Sequence, residues 1–226
     1  MKRALIITTK APLPRISKTR LYPFLTYEEA ALLTDCFLKD LILRFSRITN
    51  LDIFISFYPE GGYNKLMPLI KPSHLILQKK ATLGNKIFEI ITHLRLKPYC
   101  CKIIIPSDSP DIPLKYLQYA LRLLASKTKK VCIGPAIDQG FYLLGINFIP
   151  DKNIFDSLDW GGKANFLDVV RVCKNNNLRI KMLPIWHDID DYRGLINLLK
   201  REAKRRKPLL PHTRRLILDK LYPRIF

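Results

Sequence analysis

Short apolar runs alternate along this chain with segments of helical length and period, and that alternation constrains the fold more than any other feature. Strands are expected over 3–9, 51–57, 74–78, 101–105 and 131–134. Helices are expected after Thr26 and over 83–96 and 114–125. Parallel strands need a crossover between them, so the pattern predicts an α/β domain with a mostly parallel central sheet flanked by helices. Thr26-Tyr27-Glu28-Glu29 reads as a capping box opening a long helix, with Ala30, Leu33, Phe37, Leu41 and Phe45 on one face. The alternation then changes. Phe141-Tyr142-Leu143-Leu144-Gly145-Ile146 follows the strand at 131–134 too closely for a helical crossover, which predicts a hairpin partner or a bend. Later segments read as helix over 165–174, strand over 179–184 and helix over 192–204.

At 226 residues, 48% hydrophobic and 26% charged, the chain has enough apolar surface for one globular core. Domain boundaries are expected as 1–199 for the α/β domain and 200–226 for a basic helical C-terminal extension. That extension starts with Lys200, Arg201, Lys204, Arg205, Arg206 and Lys207. Five cysteines without Cys-x-x-Cys spacing suit a reducing compartment better than a disulfide framework. The basic N-terminus is followed by an apolar run too short for a signal peptide, and no segment reaches membrane-spanning length free of charge. A cytoplasmic location is therefore expected. A net charge of +20 invites a nucleic-acid reading, yet no nucleic-acid motif accompanies it. A basic surface also steers anionic small substrates.

Five segments carry candidate chemistry. The apolar run at 103–105 stops at Pro106-Ser107-Asp108-Ser109-Pro110-Asp111. A strand ending there delivers carboxylates to the sheet edge, where open α/β folds bind ligands. Such groups hold a hard divalent cation against phosphate oxygens, though the same residues also build a plain capped turn. After the first strand, Lys10 to Leu21 carries Lys10, Arg15, Lys18 and Arg20 on a loop stiffened by Pro12 and Pro14. It is either a solvated basic loop or a set of donors for a di- or triphosphate. In Gly134 to Gly145, Asp138 suits a metal or a sugar hydroxyl, or a hairpin turn with Tyr142 in the core. In His187-Asp188-Ile189-Asp190-Asp191, Asp188 and Asp190 fall on one side of an extended chain as a second ligand pair. Asp190 or Asp191 also suits the cap of the next helix. Trp160, before Gly161-Gly162, is a pocket wall or a core anchor.

Taken in order, these pieces resemble the radical-SAM/selenodomain-associated transferase family of the nucleotide-diphospho-sugar transferase (GT-A) superfamily. The resemblance rests on Lys10-Ala11-Pro12 with Lys18-Thr19-Arg20-Leu21, Gln78 with Leu83-Gly84, and Ser107-Asp108-Ser109-Pro110-Asp111-Ile112-Pro113. It is completed by Gly134-Pro135, Asp138-x-Gly140-x-Tyr142-Leu143-Leu144-Gly145, Trp160 and Asp188-Ile189-Asp190. The early loop is more distantly similar to molybdenum-cofactor and phospholactate guanylyltransferases. The resemblance implies a GT-A-like fold and a metal-dependent transferase using a nucleotide or nucleotide-sugar donor and a small-molecule acceptor. Glycosyl transfer is the leading expectation, nucleotidyl transfer the alternative, and a catalytically degenerate nucleotide- or RNA-binding protein the second alternative. It further implies phosphate or nucleotide contacts from Lys10, Lys18, Arg20, Gln78 and Gly84. Asp108, with Asp188 or Asp190, would hold Mg²⁺ or Mn²⁺, and Asp138, Tyr142 and Trp160 would border the acceptor. Catalysis would fall to Asp108, Arg20 and Asp138. The chain departs from the family pattern at several positions. Arg15, Pro106 and Gln139 stand where glycine is usual, Thr82 where an acid is usual, Lys86 for arginine, and Gly161-Gly162 for Ser-Thr.

Overall fold

The computed structural model describes residues 2–79, 82–93, 99–152, 154 and 165–221. Seven strands form one sheet in the order β3-β2-β1-β4-β6-β5-β7. They are β1 (Lys2–Lys10), β2 (Leu51–Tyr58), β3 (Leu75–Leu77), β4 (Tyr99–Pro106), β5 (Lys130–Pro135), β6 (Phe141–Ile146) and β7 (Arg179–Met182). Strand β6 alone runs against its neighbours, pairing antiparallel with both β4 and β5. The other pairings are parallel. The short 131–146 connection is thus the expected hairpin, inserted between strands joined by crossovers.

The helices are α1 (Tyr27–Phe45), α2 (Tyr63–Leu66), α3 (Leu83–His93), α4 (Leu114–Leu124), α5 (Phe166–Asn175), α6 (Tyr192–Ala203) and α7 (Pro211–Leu216). Helix α1 begins at the expected capping box: the Glu29 amide donates to Thr26 Oγ1 at 3.2 Å and the Thr26 amide to Glu29 Oε2 at 2.8 Å. Strand alternation sorts the core. Leu5 and Ile7 of β1 pack with α1 and α4 residues such as Leu41, Phe45, Leu121 and Leu124. Their neighbours Ala4 and Ile6 face the other way, onto Ile87, Ile90 and Ile91 of α3 and Val169 and Val172 of α5. The sheet is therefore covered on both faces, as a parallel sheet of near-continuous apolar strands requires.

A third apolar layer covers the outer side of α1. Leu33 and Phe37 meet Leu195 and Leu198 of α6 and Leu210, Leu216, Ile217 and Leu221 of the C-terminal segment, with Ile189 fully buried among them. Asp40, also fully buried, anchors that segment. Its carboxylate accepts from the His212 amide at 3.0 Å, the Thr213 amide at 2.9 Å and the Thr213 hydroxyl at 2.7 Å. Asp40→Ala leaves these donors unpaired and is expected to destabilise the fold by roughly 2 kcal/mol. Chemical denaturation reads this directly, and an unchanged midpoint would contradict the anchoring role.

Candidate functional site

The C-terminal ends of β1, β2 and β4 open into a cleft of about 550 Å³, the place where open α/β sheets leave room for a ligand. Its lining includes the cations Lys10, Arg20 and Lys86, the carboxylates Asp108, Asp138, Asp188 and Asp190, and Thr8, Thr9, Tyr58, Gln78, Phe141 and Asn165. Cations from the first loop thus face carboxylates from three separate segments.

The turn after β4 is held by its backbone. The Ser107 amide donates to the Thr8 carbonyl at 2.9 Å, and Ser109 Oγ donates to the His187 carbonyl at 2.8 Å. Its two carboxylates divide the work. Asp111 is buried and accepts from Arg201 Nε at 2.7 Å and Trp186 Nε1 at 3.2 Å, so it ties the turn to α6. Asp108 faces the cleft and pairs with the Lys18 ammonium.

Three carboxylates, Asp138, Asp188 and Asp190, bring one oxygen each to within 4.8 Å of one another. Each has a local reason to be there. The Asp138 carboxylate accepts from the Gly140 amide at 2.8 Å, closing a turn in which Gln139 takes φ 73°. Asp191, not Asp190, caps α6 by accepting from the Gly194 amide at 2.7 Å. That leaves Asp188 and Asp190 to flank the buried Ile189 and line the cleft. Asp190 also accepts from Arg20 at 2.6 Å. Sequence reasoning grouped Asp108 with Asp188 and Asp190. Geometry brings Asp138 together with Asp188 and Asp190, while the Asp108 carboxylate pairs with Lys18.

Crowding shows in the acid–base balance. Burial first, then Asp138 and Asp190, push the Asp188 carboxyl up to about 6. Asp190 is raised as well, by burial and Asp108, against the lowering pull of Lys18 and Arg20. Above its ordinary pKa near 3.9 and up to about 6, Asp188 binds more proton in the folded than in the unfolded chain. Its contribution to stability therefore falls as pH rises through that interval. Without metal, Asp188→Asn is expected to raise Tm at pH 7.5 by roughly 2–4 °C, solvent screening reducing the effect to about 1 kcal/mol. The gain should shrink at pH 4.5, as scanning calorimetry would show. An equal shift at both pH values would contradict the crowding.

The remaining sequence-predicted residues divide. Lys10, Arg20 and Gln78 reach the cleft, with Gln78 oriented by donating to the Ser56 carbonyl at 2.8 Å. Lys18 is nearly enclosed, its side chain only 4% exposed. Gly84 is buried in the first turn of α3 and is not among the residues lining the cleft. Tyr142 is a correction: it does not border the cleft. Its ring is fully buried beneath Gly134 and its hydroxyl donates to the Pro184 carbonyl at 2.8 Å. Trp160 lies outside the described residues. Thr8, Thr9, Tyr58 and Asn165 were missed, although Thr8, Thr9 and Tyr58 stand at strand ends, the position that drew attention to Asp108. Arg15 and Gln139, standing where the resembled family has glycine, hold φ of 63° and 73°. The left-handed backbone is kept without glycine, and the Arg15 guanidinium sits 5.1 Å over the Tyr27 ring.

A family of uncharacterized proteins conserved in bacteria, DUF2064, matches residues 42–162, more than half of the chain. The chain belongs to DUF2064. Among solved structures, this DUF2064 member is similar to a protein from Desulfovibrio desulfuricans G20 provisionally named a nucleotide-diphospho-sugar transferase. The two share 28% identity over 97% of this chain and 98% of the other, with a TM-score of 0.81. A cytidylyltransferase from Leptospira borgpetersenii serovar Hardjo-bovis shares the fold at 14% identity, over 100% of this chain and 96% of that one, with a TM-score of 0.54. So does 4-diphosphocytidyl-2C-methyl-D-erythritol synthase from Anaerococcus prevotii, at 11% identity over 90% and 97%, with a TM-score of 0.53. No curated protein matches the DUF2064 member. The mostly parallel α/β fold expected from the sequence is thus the fold of nucleotide-sugar transferases. Among the described residues, no helix is long and apolar enough to cross a membrane.

Proposed function

We propose that the protein is a transferase acting on a nucleotide-activated donor, and that the donor is a nucleotide sugar. One observation carries this reading: the cations Lys10, Arg20 and Lys86 and the carboxylates Asp108, Asp138, Asp188 and Asp190 line a single cleft at the sheet edge. A diphosphate needs positive charge around it, and a cluster of carboxylates needs a cation. The Desulfovibrio protein, itself provisionally named a nucleotide-diphospho-sugar transferase, supports the same reading, and the motifs of the first loop and the β4 turn support membership of the radical-SAM/selenodomain-associated branch.

The donor set suits a hard divalent ion. Asp138, Asp188 and Asp190 offer three carboxylate oxygens from two segments, close enough to share one ion. A bound Mg²⁺ or Mn²⁺ would supply charge neutralisation on the diphosphate. The chain's own residues do the rest. Arg20, 60% exposed, lines the cleft and spends few of its five donors on Asp190, so the others are available for phosphate oxygens. Lys10 and Lys86 add further positive charge to the cleft lining. Asp138 is exposed, so its carboxylate oxygen not used on the ion is open to take a proton from an incoming hydroxyl. The acceptor is a small molecule, and the protein works in the cytoplasm.

The test is a screen of nucleotide sugars and nucleoside triphosphates with Mn²⁺, read by mass spectrometry. Glycosyl transfer predicts release of a nucleoside diphosphate. Release of pyrophosphate from a triphosphate would instead establish nucleotidyl transfer, and no donor turnover would overturn the enzyme reading.

A further inference from the structure

The loop that carries Arg20 into the cleft carries Lys18 under it. Lys18 adopts a left-handed backbone, φ 52° and ψ 40°, at the start of the turn Thr19–Leu21. Its side chain folds inward, and its ammonium donates to the Asp108 carboxylate and, at 2.7 Å, to the Ile189 carbonyl. The charge lies 5.1 Å from the centre of the Phe37 ring. The Ile189 amide returns a bond to the Asp108 carbonyl at 2.7 Å. Three stretches far apart in sequence are therefore fastened at one point: the first loop, the β4 turn and the 188–190 segment.

We propose that Lys18 is a positioning residue rather than a phosphate ligand: it fixes Ile189 against Asp108, and so sets where Asp188 and Asp190 enter the cleft. The inference rests on the transferase reading above. Two of its three ammonium donors are occupied and its side chain is only 4% exposed, so a phosphate entering the small cavity that Lys18 shares with Lys10 and Arg20 would find at most one free donor on it. Arg20, two residues on, has the opposite character, being largely exposed with donors to spare. Charge and geometry also make opposite demands. A fixed cation beside carboxylates repels a metal ion, so as a charge Lys18 would weaken metal binding. As a brace it strengthens metal binding, by holding the ligands in place.

That opposition gives the experiment its sign. Mn²⁺ alone is titrated by electron paramagnetic resonance into the full-length wild type and Lys18→Met, and inorganic pyrophosphate is titrated by calorimetry. A brace predicts Mn²⁺ binding weakened about tenfold or more in Lys18→Met, as outer-shell partners of metal ligands generally show. Pyrophosphate affinity should change by less than about twofold, while Arg20→Met should lower it about tenfold, a guanidinium–phosphate contact being a strong charge-assisted bond. Tighter Mn²⁺ binding, or a pyrophosphate loss matching that of Arg20→Met, would overturn the proposal. Because Lys18→Met disturbs a buried pair, lysine acetylation of the wild type provides a second measurement. Lys18 should react far more slowly than the exposed Lys10, with or without pyrophosphate. Reaction at the rate of Lys10, suppressed by pyrophosphate, would also overturn it. A wild type that binds neither probe would count against the transferase reading, and acetylation would still decide whether Lys18 is withheld from anions.

Discussion

Asp190→Ala is expected to lower turnover by roughly 10²–10³-fold, the scale seen when one preorganised electrostatic group is removed from an active site. The reason is that Asp190 does two things at once. It supplies one of three carboxylate oxygens within 4.8 Å of one another, and it accepts from the Arg20 guanidinium at 2.6 Å. Its removal takes a ligand from the candidate metal group and releases Arg20 from its aim. The fold should survive, because Ile189 beside it is buried independently and Asp191 still caps α6. Stability without metal should rise slightly, since burial and Asp108 already disfavour the charged Asp190. Turnover, Mn²⁺ affinity and Tm measured on one preparation check all three. A variant with full turnover and unchanged Mn²⁺ binding would remove Asp190 from the site. Arg20→Met should cost less, and the double variant should fall short of the sum of the two, because the residues share one contact.

Gly134→Ala is expected to destabilise the protein by about 3 kcal/mol, the upper range for forcing an atom into a packed core. A Cβ added there would lie 2.4 Å from the nearest Tyr142 ring carbon, with two more ring carbons at 2.7 and 2.8 Å. The ring has nowhere to move. It is fully buried and its hydroxyl is fastened to the Pro184 carbonyl. A Tm loss of roughly 6–12 °C follows for a chain of this length. Tyr142→Leu shortens the obstacle, so the double variant should be less destabilised than the sum of the singles. If Gly134→Ala left Tm unchanged, the tight approach of strand and ring would be wrong. Tyr142→Phe offers a cleaner functional check. It should cost about 1 kcal/mol for the lost hydrogen bond and leave turnover per folded molecule intact.

The same residues show what the sequence can and cannot convey. Strand alternation and the capping box are local signals, so most elements from β1 through α6 were legible, including the hairpin after β5. Side chains whose fate depends on distant partners were not. Asp108 and Asp111 look equivalent in sequence. Only Arg201 and Trp186, 90 and 75 positions away, decide that Asp111 is buried. Lys18 and Arg20 look equivalent too, until Asp108 and Ile189 claim Lys18. The carboxylates were found because they cluster at expected strand ends. That Asp138 comes within reach of Asp188 is written in no local pattern. Tyr142 was open to either reading from alternation alone, and the contact with Gly134 settles it.

Calorimetry of wild type and Asp190→Ala, against nucleotides and nucleotide sugars with and without Mn²⁺, tests the central claim most directly: that loop cations and converging carboxylates grip one diphosphate. The account predicts that a nucleotide sugar binds the wild type more tightly with Mn²⁺, and that Asp190→Ala loses this enhancement. Binding that ignores both Mn²⁺ and the substitution, or no nucleotide binding at all, would contradict it.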